Sequence, residues 1–241
     1  MYNIYEPPDG WLGGVQVLSR RNFMKKLLII LAVVFSVSLA YGDAEIGYIY
    51  DSRDFSMVEV VTSTSVAKDL KFWGFTDLYN QQGSKKAMEL TDYFMDYRLD
   101  WNLFPIGKQY FQQNVMEVEA EYNGFSGDDN DLVRTGFSWT RNFFRGGFIQ
   151  GRYFPWDSRG EKYSHASITH VIPLVKGWSF FGFYDYHMEQ GAKSMWYYEP
   201  SLIYKIDDTY SFIFIYRWDD FAHDAAGEKG NGIAVGIYRR L

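Results

Sequence analysis

The sequence predicts an all-β fold: an antiparallel transmembrane β-barrel of about twelve strands in the bacterial outer membrane, preceded by a cleaved signal peptide. Three observations support this prediction. Apolar and polar residues alternate along one segment after another, and the connections between these segments alternate between tight turns and longer polar loops. A basic and then apolar stretch near the N-terminus has the organisation of an export signal. Together these features are typical of a barrel with a wet interior and a lipid-facing exterior.

The clearest alternating segment is Asp69–Tyr79, with the sequence DLKFWGFTDLY. Successive side chains of a strand point to opposite faces, so Lys71, Trp73 and Asp77 share one face while the other face is mostly apolar. In a soluble sandwich the polar face would meet water and the apolar face a core. In a membrane barrel the polar face lines the lumen and the apolar face contacts lipid.

Twelve segments with this alternation are predicted as strands. They are approximately Glu45–Tyr50, Phe55–Thr64, Lys68–Leu78, Met88–Leu103, Asn114–Tyr122, Asp131–Arg141, Gly147–Phe154, Tyr163–Ile172, Trp178–His187, Met195–Ile206, Thr209–Trp218 and Gly232–Leu241. The longer ones exceed the strands common in soluble sandwiches and match the tilted spans of about 9–11 residues that a bilayer requires.

The connections also follow the outer-membrane arrangement of long external loops, short internal turns and an even number of strands. The predicted external connections are Asp51–Asp54, Asn80–Ala87, Asn123–Asn130, Pro155–Lys162, Met188–Ser194 and Asp219–Asn231. The predicted internal turns are Ser65–Ala67, Pro105–Gln112, Asn142–Arg145, Pro173–Gly177 and Asp207–Asp208. Tryptophans near the strand ends fit interfacial aromatic girdles; they are Trp101, Trp156, Trp178, Trp196 and Trp218.

The composition favours strands and excludes one class of partner. Aromatic residues make up 20% of the chain, which has 22 Gly and only 6 Pro, and this mixture favours strands and turns over helices. The net charge of −6 argues against a nucleic-acid partner, which requires a basic face. The chain has no Cys, and His170, His187 and His223 are not at metal-ligand spacing, so the sequence predicts no metal site and no cofactor.

The N-terminus reads as an export signal. Residues 24–42 contain Lys25 and Lys26, an apolar core and a small-residue cleavage site ending at Gly42, which together define a secretory signal peptide. Residues 1–23 are then an upstream extension or an extended basic region, and residues 43–241 form the barrel. The stretch Ser19–Lys25 also resembles a twin-arginine export motif, which would favour a folded periplasmic protein instead.

With its twelve predicted strands, the block DLKFWGFTDLY and the final strand GNGIAVGIY, the chain resembles the Tsx family of nucleoside-specific channels of the outer membrane. The resemblance extends over residues 44–241. It implies a narrow monomeric barrel in outer-membrane lipid, acting as a passive channel and not as an enzyme. It further implies that aromatic and polar side chains in the lumen bind a small solute of the nucleoside type.

The predicted solute-binding residues are those that the alternation directs into the lumen: Asp69, Lys71, Trp73, Phe75, Asp77, Arg98, Glu117, Glu119, Glu121, Asp185 and Glu199. Carboxylates can accept hydrogen bonds from ribose or base amino groups, and aromatic rings can stack on a base. Glu117, Glu119 and Glu121 lie on one face without a cation in their own strand, which predicts a preference for cations or neutral solutes. The alternative is that these charges pair with one another and only hold the wall together.

Other functions are left open by the sequence. The pair His165 and Ser167 resembles the His-x-Ser spacing of outer-membrane phospholipases and lipid A deacylases. The pair is predicted to face the lumen, however, and no third member of a triad is evident, so the sequence predicts no catalytic residue. A plugged structural or adhesin barrel would need richer external loops. A soluble lipocalin-like carrier would need an apolar interior.

Overall fold

The structure is a computed structural model, and it describes residues 42–53, 55–81, 92–109, 112–125, 131–160, 162–191, 194–220 and 230–241. The predicted upstream extension and all of the predicted signal peptide except Gly42 lie outside the described residues. Among the residues described, no helix is long and apolar enough to cross a membrane.

Twelve antiparallel strands form one closed barrel in which each strand pairs with its neighbours in the chain and β1 pairs with β12. The strands are β1 (Gly42–Asp51), β2 (Phe55–Ala67), β3 (Leu70–Gln81), β4 (Asp92–Gln109), β5 (Gln112–Phe125), β6 (Leu132–Asn142), β7 (Phe148–Asp157), β8 (Tyr163–Pro173), β9 (Trp178–Glu189), β10 (Met195–Lys205), β11 (Tyr210–Asp219) and β12 (Gly230–Arg240). The predicted fold and order of strands are confirmed.

Several of the predicted connections are wrong in extent because strands continue into them. Ser65–Ala67 belongs to β2, which ends in a bulge before the turn to β3. The predicted turn Pro105–Gln112 is mostly strand, since β4 extends to Gln109 and pairs with the start of β5 across two register shifts. The predicted loop from Pro155 onward begins inside β7. Bulges insert an unpaired residue into a ladder and so let a strand continue where regular pairing fails.

The bulge in β7 explains how a proline fits into a closed sheet. Phe137 pairs with Tyr153 and Thr135 with Trp156, so Phe154 and Pro155 both lie opposite Gly136. Proline has no N–H to donate to a ladder and is found at bulges or edges of sheets. The bulge therefore carries β7 on to Asp157, which pairs with Arg134 of β6.

The two faces of the sheet have opposite character. Side chains on the outer face are apolar or aromatic and largely exposed, such as Leu99, Phe137, Ile168 and Val235. Side chains on the inner face are charged or polar and buried, such as Arg98. This is the reverse of a soluble protein and is the arrangement of a transmembrane barrel.

The barrel has a turn end and a loop end. The turn end carries the β2–β3, β4–β5, β6–β7, β8–β9 and β10–β11 connections together with both ends of the barrel chain, where Leu241 N donates to Ala44 O over 2.9 Å. The opposite ends of the strands define the loop end. Outward-facing tryptophans lie near both ends, with Trp101 and Trp178 at the turn end and Trp156 and Trp196 at the loop end. This placement agrees with the predicted girdles.

One side of the interior is packed as an apolar core. The core cluster consists of Ile49, Phe55, Met57, Tyr79, Ile213, Ile215 and Ala234, from β1, β2, β3, β11 and β12. Small residues of β12 make room for it. A Cβ on Gly236 would lie 2.8 Å from Ile49 Cγ1, so only glycine fits there without a shift of the neighbouring strand. This apolar cluster therefore lies among the polar side chains that make up most of the inner face.

Candidate functional site: the lumen

A cavity of about 1080 Å³ lies inside the barrel. Its lining extends from Asp43 and Ser211 near the turn end to Arg53 and Asp219 near the loop end. Ten of the lining residues are Asp or Glu and six are Arg or Lys. The cavity therefore follows much of the barrel's length and has a net negative wall.

Eight of the eleven predicted site residues line this cavity: Lys71, Trp73, Phe75, Asp77, Arg98, Glu121, Asp185 and Glu199. Glu117 and Glu119 also point into the barrel, but they are buried in its wall and do not line the cavity. Asp69 lies in the exposed turn between β2 and β3, so its prediction as a lumen residue is wrong. Strand β3 begins only at Leu70, and the alternation that would direct a side chain inward does not yet apply at Asp69.

The acidic triplet of β5 is paired with cations from four other strands, β3, β4, β6 and β7. Lys71 Nζ lies 3.6 Å from Glu117 Oε1, and Arg152 Nε donates to Glu119 Oε1 over 3.3 Å. Arg98 and Arg134 both bind Glu121. The predicted cation preference of this triplet therefore loses its basis, because the paired charges stabilise the wall. The structure therefore agrees with the alternative interpretation, in which charges of opposite sign pair with one another and hold the wall together.

Arg98 is the centre of the charged wall. Its side chain is 4% exposed and donates to Asp96 and, over 2.9 Å, to Glu121 Oε2. Arg134 Nη1 donates to the other oxygen of Glu121 over 2.5 Å. Because Arg98 comes from β4, Glu121 from β5 and Arg134 from β6, the network joins three strands across the interior face.

An aromatic strip lies beside this network. Trp73, Phe75 and Phe94 follow one another with ring centroids 5.5 Å apart at each step, in edge-to-face geometry. The guanidinium of Arg98 lies over Trp73 at 4.9 Å. Such pairs are favourable and hold the rings in fixed orientations, so the cavity has a rigid aromatic surface next to a cation.

A second group of polar residues combines carboxylates with tyrosines. Glu59 and Asp77 lie opposite each other across β2 and β3. Tyr238 donates to Glu59 Oε1 over 2.6 Å, and Tyr79 donates to Asp77 Oδ2 over 3.2 Å. Nearby, Tyr197 and Arg217 both bind Glu199. The Oδ1 atom of Asp77 has no hydrogen-bond partner among the described residues, which leaves an acceptor for a solute.

Two histidines and a carboxylate meet on the wall formed by β8 and β9. His165 and His187 are directly paired across the two strands, and their rings stack with centroids 4.4 Å apart. Asp185 Oδ1 lies 2.9 Å from His165 Nε2, and its Oδ2 lies 4.0 Å from His187 Nε2. The ring of Phe154 lies parallel to His165 at 5.5 Å.

The sequence analysis missed this cluster because it considered the histidines by their spacing along the chain. His165 and His187 are far apart in sequence and become neighbours only through the register of a hairpin. The signal was present, since both residues are equally distant from Lys176 in the tight β8–β9 turn. The expectation that Asp185 lines the lumen agrees with the structure, but its contact with His165 was not foreseen.

No protein-family model and no curated protein sequence matches this chain. Several solved structures do resemble it. A KdgM porin shares 11% identity, covering 82% of this chain and 99% of its own, with a TM-score of 0.54. Outer membrane phospholipase A from Escherichia coli shares 10%, covering 86% and 96%, with a TM-score of 0.56. The phospholipase from Salmonella typhi, a dimer with bound calcium, shares 12%, covering 83% and 90%, with a TM-score of 0.54.

At these identities the likeness concerns the fold. The neighbours are twelve-stranded barrels of the outer membrane, and this chain has the same closed architecture with a lipid-facing exterior. The protein is therefore an outer-membrane β-barrel. The resemblance to the Tsx family stays a prediction.

Proposed function

We propose that this barrel is a passive channel with a narrow lumen selective for small solutes, and that it is not an enzyme. The observation that carries the proposal is the cavity of about 1080 Å³, whose lining residues come from near both ends of the barrel. A barrel of twelve strands encloses a wider interior than an eight-stranded barrel, whose interior is filled by side chains, and a narrower one than a general porin. The closed sheet has no free edge, so no strand is left to pair with a second chain.

The solute class that fits the lining best is a neutral or cationic molecule with an aromatic ring and hydroxyl groups, as in a nucleoside. The strip of Trp73, Phe75 and Phe94 offers a stacking surface worth on the order of 1–3 kcal/mol per base. Asp77 and Asp100 each have a buried Oδ1 atom without a partner in the described part of the chain, and these atoms can accept from hydroxyl or amino groups. Such weak contacts permit both binding and release.

The same lining disfavours a polyanion. One neighbouring structure is a KdgM porin in complex with oligogalacturonate. In this chain the cavity lining has more carboxylates than cations, and its arginines are engaged: Arg98 by Asp96 and Glu121, and Arg152 by Glu119. A chain of carboxylates would meet repulsion along most of its path.

The test is the conductance of single barrels, refolded from residues 43–241, in a planar bilayer with adenosine or thymidine added. We expect small conductance steps that nucleoside blocks at sub-millimolar to millimolar concentration. Trp73→Ala and Phe75→Ala should weaken the block because they remove stacking surface from the strip. Trp101→Ala is the matched control, since Trp101 is 61% exposed on the outer face.

Each outcome separates one part of the proposal from the rest. Conductance steps that nucleoside does not block would support the channel and reject a nucleoside as its solute. A weakened block in Trp101→Ala as well would reject the assignment of binding to the aromatic strip. The absence of steps from a barrel that shows the heat-modifiable mobility of a folded outer-membrane protein would reject the channel.

One contact favours a second function, hydrolysis by Ser167. The close approach of Asp185 to His165 supplies the acid that a Ser-His-Asp arrangement needs, and Ser167 lies on the same face of β8. Ser167 Oγ has no hydrogen-bond partner in the described residues, so the link from serine to histidine is not made. The residues face the lumen and are almost fully buried, away from lipid. Labelling by a fluorophosphonate that Ser167→Ala abolishes would favour the hydrolase.

A further inference from the structure

The cluster on β8 and β9 has the composition of a metal site. His165 and His187 each present a ring nitrogen, and Asp185 presents a carboxylate oxygen; these three ligand atoms all lie within 4.8 Å of one another. Two imidazoles and one carboxylate form a donor set that binds divalent transition ions such as Zn²⁺, Fe²⁺ and Ni²⁺. Such sets leave further coordination positions open for water or a solute.

One buried atom of the cluster lacks any partner. His165 is 1% exposed, and its Nδ1 atom has no hydrogen-bond partner among the described residues, while its Nε2 atom faces Asp185 Oδ1 at 2.9 Å. Buried polar atoms in proteins are usually paired, so a buried imidazole that has only one close polar neighbour points to a further ligand.

The backbone holds the three side chains at nearly the required distances. Directly opposed residues of an antiparallel pair have Cβ atoms about 4.5–5.5 Å apart, and His165 and His187 occupy such a pair. Ligand atoms around a tetrahedral ion lie about 3.3 Å apart, given metal–nitrogen distances near 2.0–2.1 Å. The separations of Asp185 from the two imidazoles, 2.9 Å from Oδ1 to His165 and 4.0 Å from Oδ2 to His187, lie on either side of this value. Because the two rings are stacked, the His187 side chain must turn to bring its nitrogen toward an ion held by His165 and Asp185.

The surroundings suit a cation that enters from the lumen. All three ligands line the cavity, while Phe154 packs against the side of His165 and fixes its ring. Arg98 acts electrostatically on Asp185, but its guanidinium is engaged by Asp96 and Glu121. We propose that His165, Asp185 and His187 bind one divalent transition-metal ion in the lumen wall, with its remaining coordination positions open to the lumen.

The experiment measures binding of Zn²⁺ by isothermal titration calorimetry to the untagged barrel, refolded in detergent. The parent chain and all its variants carry His223→Ala, which removes the histidine that lies outside the described residues. We expect one Zn²⁺ per chain. Each of three variants should weaken Zn²⁺ binding by at least about tenfold: His165→Ala, His187→Ala and Asp185→Asn. Loss of a residue that only supports a metal ligand already costs about 10–100-fold in affinity, so loss of a ligand itself should cost no less. Substitution with Co²⁺ should give the visible absorption bands of a low-coordinate site.

His170→Ala is the matched control, because His170 lies on the outer face of β8 beside Phe180 and Tyr184. The His170→Ala variant should bind Zn²⁺ with the same affinity as the parent chain. The proposal is overturned if the parent chain shows no saturable one-to-one binding, or if binding survives His187→Ala unchanged. Should His165→Ala fail to fold, His187→Ala and Asp185→Asn, both at less deeply buried side chains, decide the question. The readout needs no conduction, so it is independent of the channel proposal.

Discussion

Replacing Arg98 by Met tests whether the charged wall holds the barrel together. The Arg98 side chain is buried, donates to Asp96 and Glu121, and covers the ring of Trp73. The substitution therefore leaves the buried carboxylate of Asp96 without the cation that it binds. Removing one partner of a buried ion pair costs about 3–5 kcal/mol. Since 1.4 kcal/mol is a factor of ten, the unfolding equilibrium should shift by about two to four powers of ten.

The assay is reversible urea unfolding in phospholipid vesicles, followed by tryptophan fluorescence. The informative comparison is the double variant Asp96→Asn/Arg98→Met, in which Glu121 keeps its bond to Arg134 and no buried charge is left alone. Replacing a whole buried pair by neutral groups is often close to neutral in stability, so the double variant should recover most of the loss. A cost below about 1 kcal/mol for Arg98→Met alone would refute the reasoning, because it would mean that lumen water solvates these charges.

Three further outcomes follow from the same geometry. Ile213→Ala in the core cluster should cost about 2–4 kcal/mol of unfolding free energy in the urea assay, because it leaves a cavity among buried side chains; a cost below about 1 kcal/mol would contradict a packed interior. Gly236→Val should reduce the yield of heat-modifiable barrel, whereas Gly151→Ala, whose Cβ would meet nothing within 4 Å, should fold normally. The reversal potential in a KCl gradient should show preference for K⁺, since the cavity lining has ten carboxylates and six cations; a preference for Cl⁻ would argue against this cavity as the conducting path.

The alternation of residue types was enough to predict the twelve strands and the faces of most side chains, because a strand has a fixed period of two and one side of a membrane barrel must be apolar. It assigned Trp73 and Asp77 to the lumen correctly. It failed where the chain departs from that period, as at Asp69 in a turn and at Pro155 in a bulge.

What alternation cannot predict is contact between strands. The carboxylates of β5 appeared uncompensated because their cations all lie on other strands; Arg98 and Arg134 are on the paired strands β4 and β6, and Arg152 is on β7, which does not pair with β5. The meeting of His165 with His187 depends likewise on the register of one hairpin. The contacts of β5 with β3 and β7 are set by the curvature of the whole barrel and the contact of the two histidines by one hairpin, so neither follows from the sequence of a single strand.

The apolar core cluster and the cavity share part of their surface. Phe55, Tyr79, Ile213 and Ile215 belong to the core cluster and also line the cavity. A solute in the lumen therefore meets an apolar side as well as the charged wall, and the same side chains contribute both to stability and to the shape of the path. Redesign of the specificity is best directed at lining residues that belong neither to the core cluster nor to the Arg98 network, such as Phe181 and Ser201.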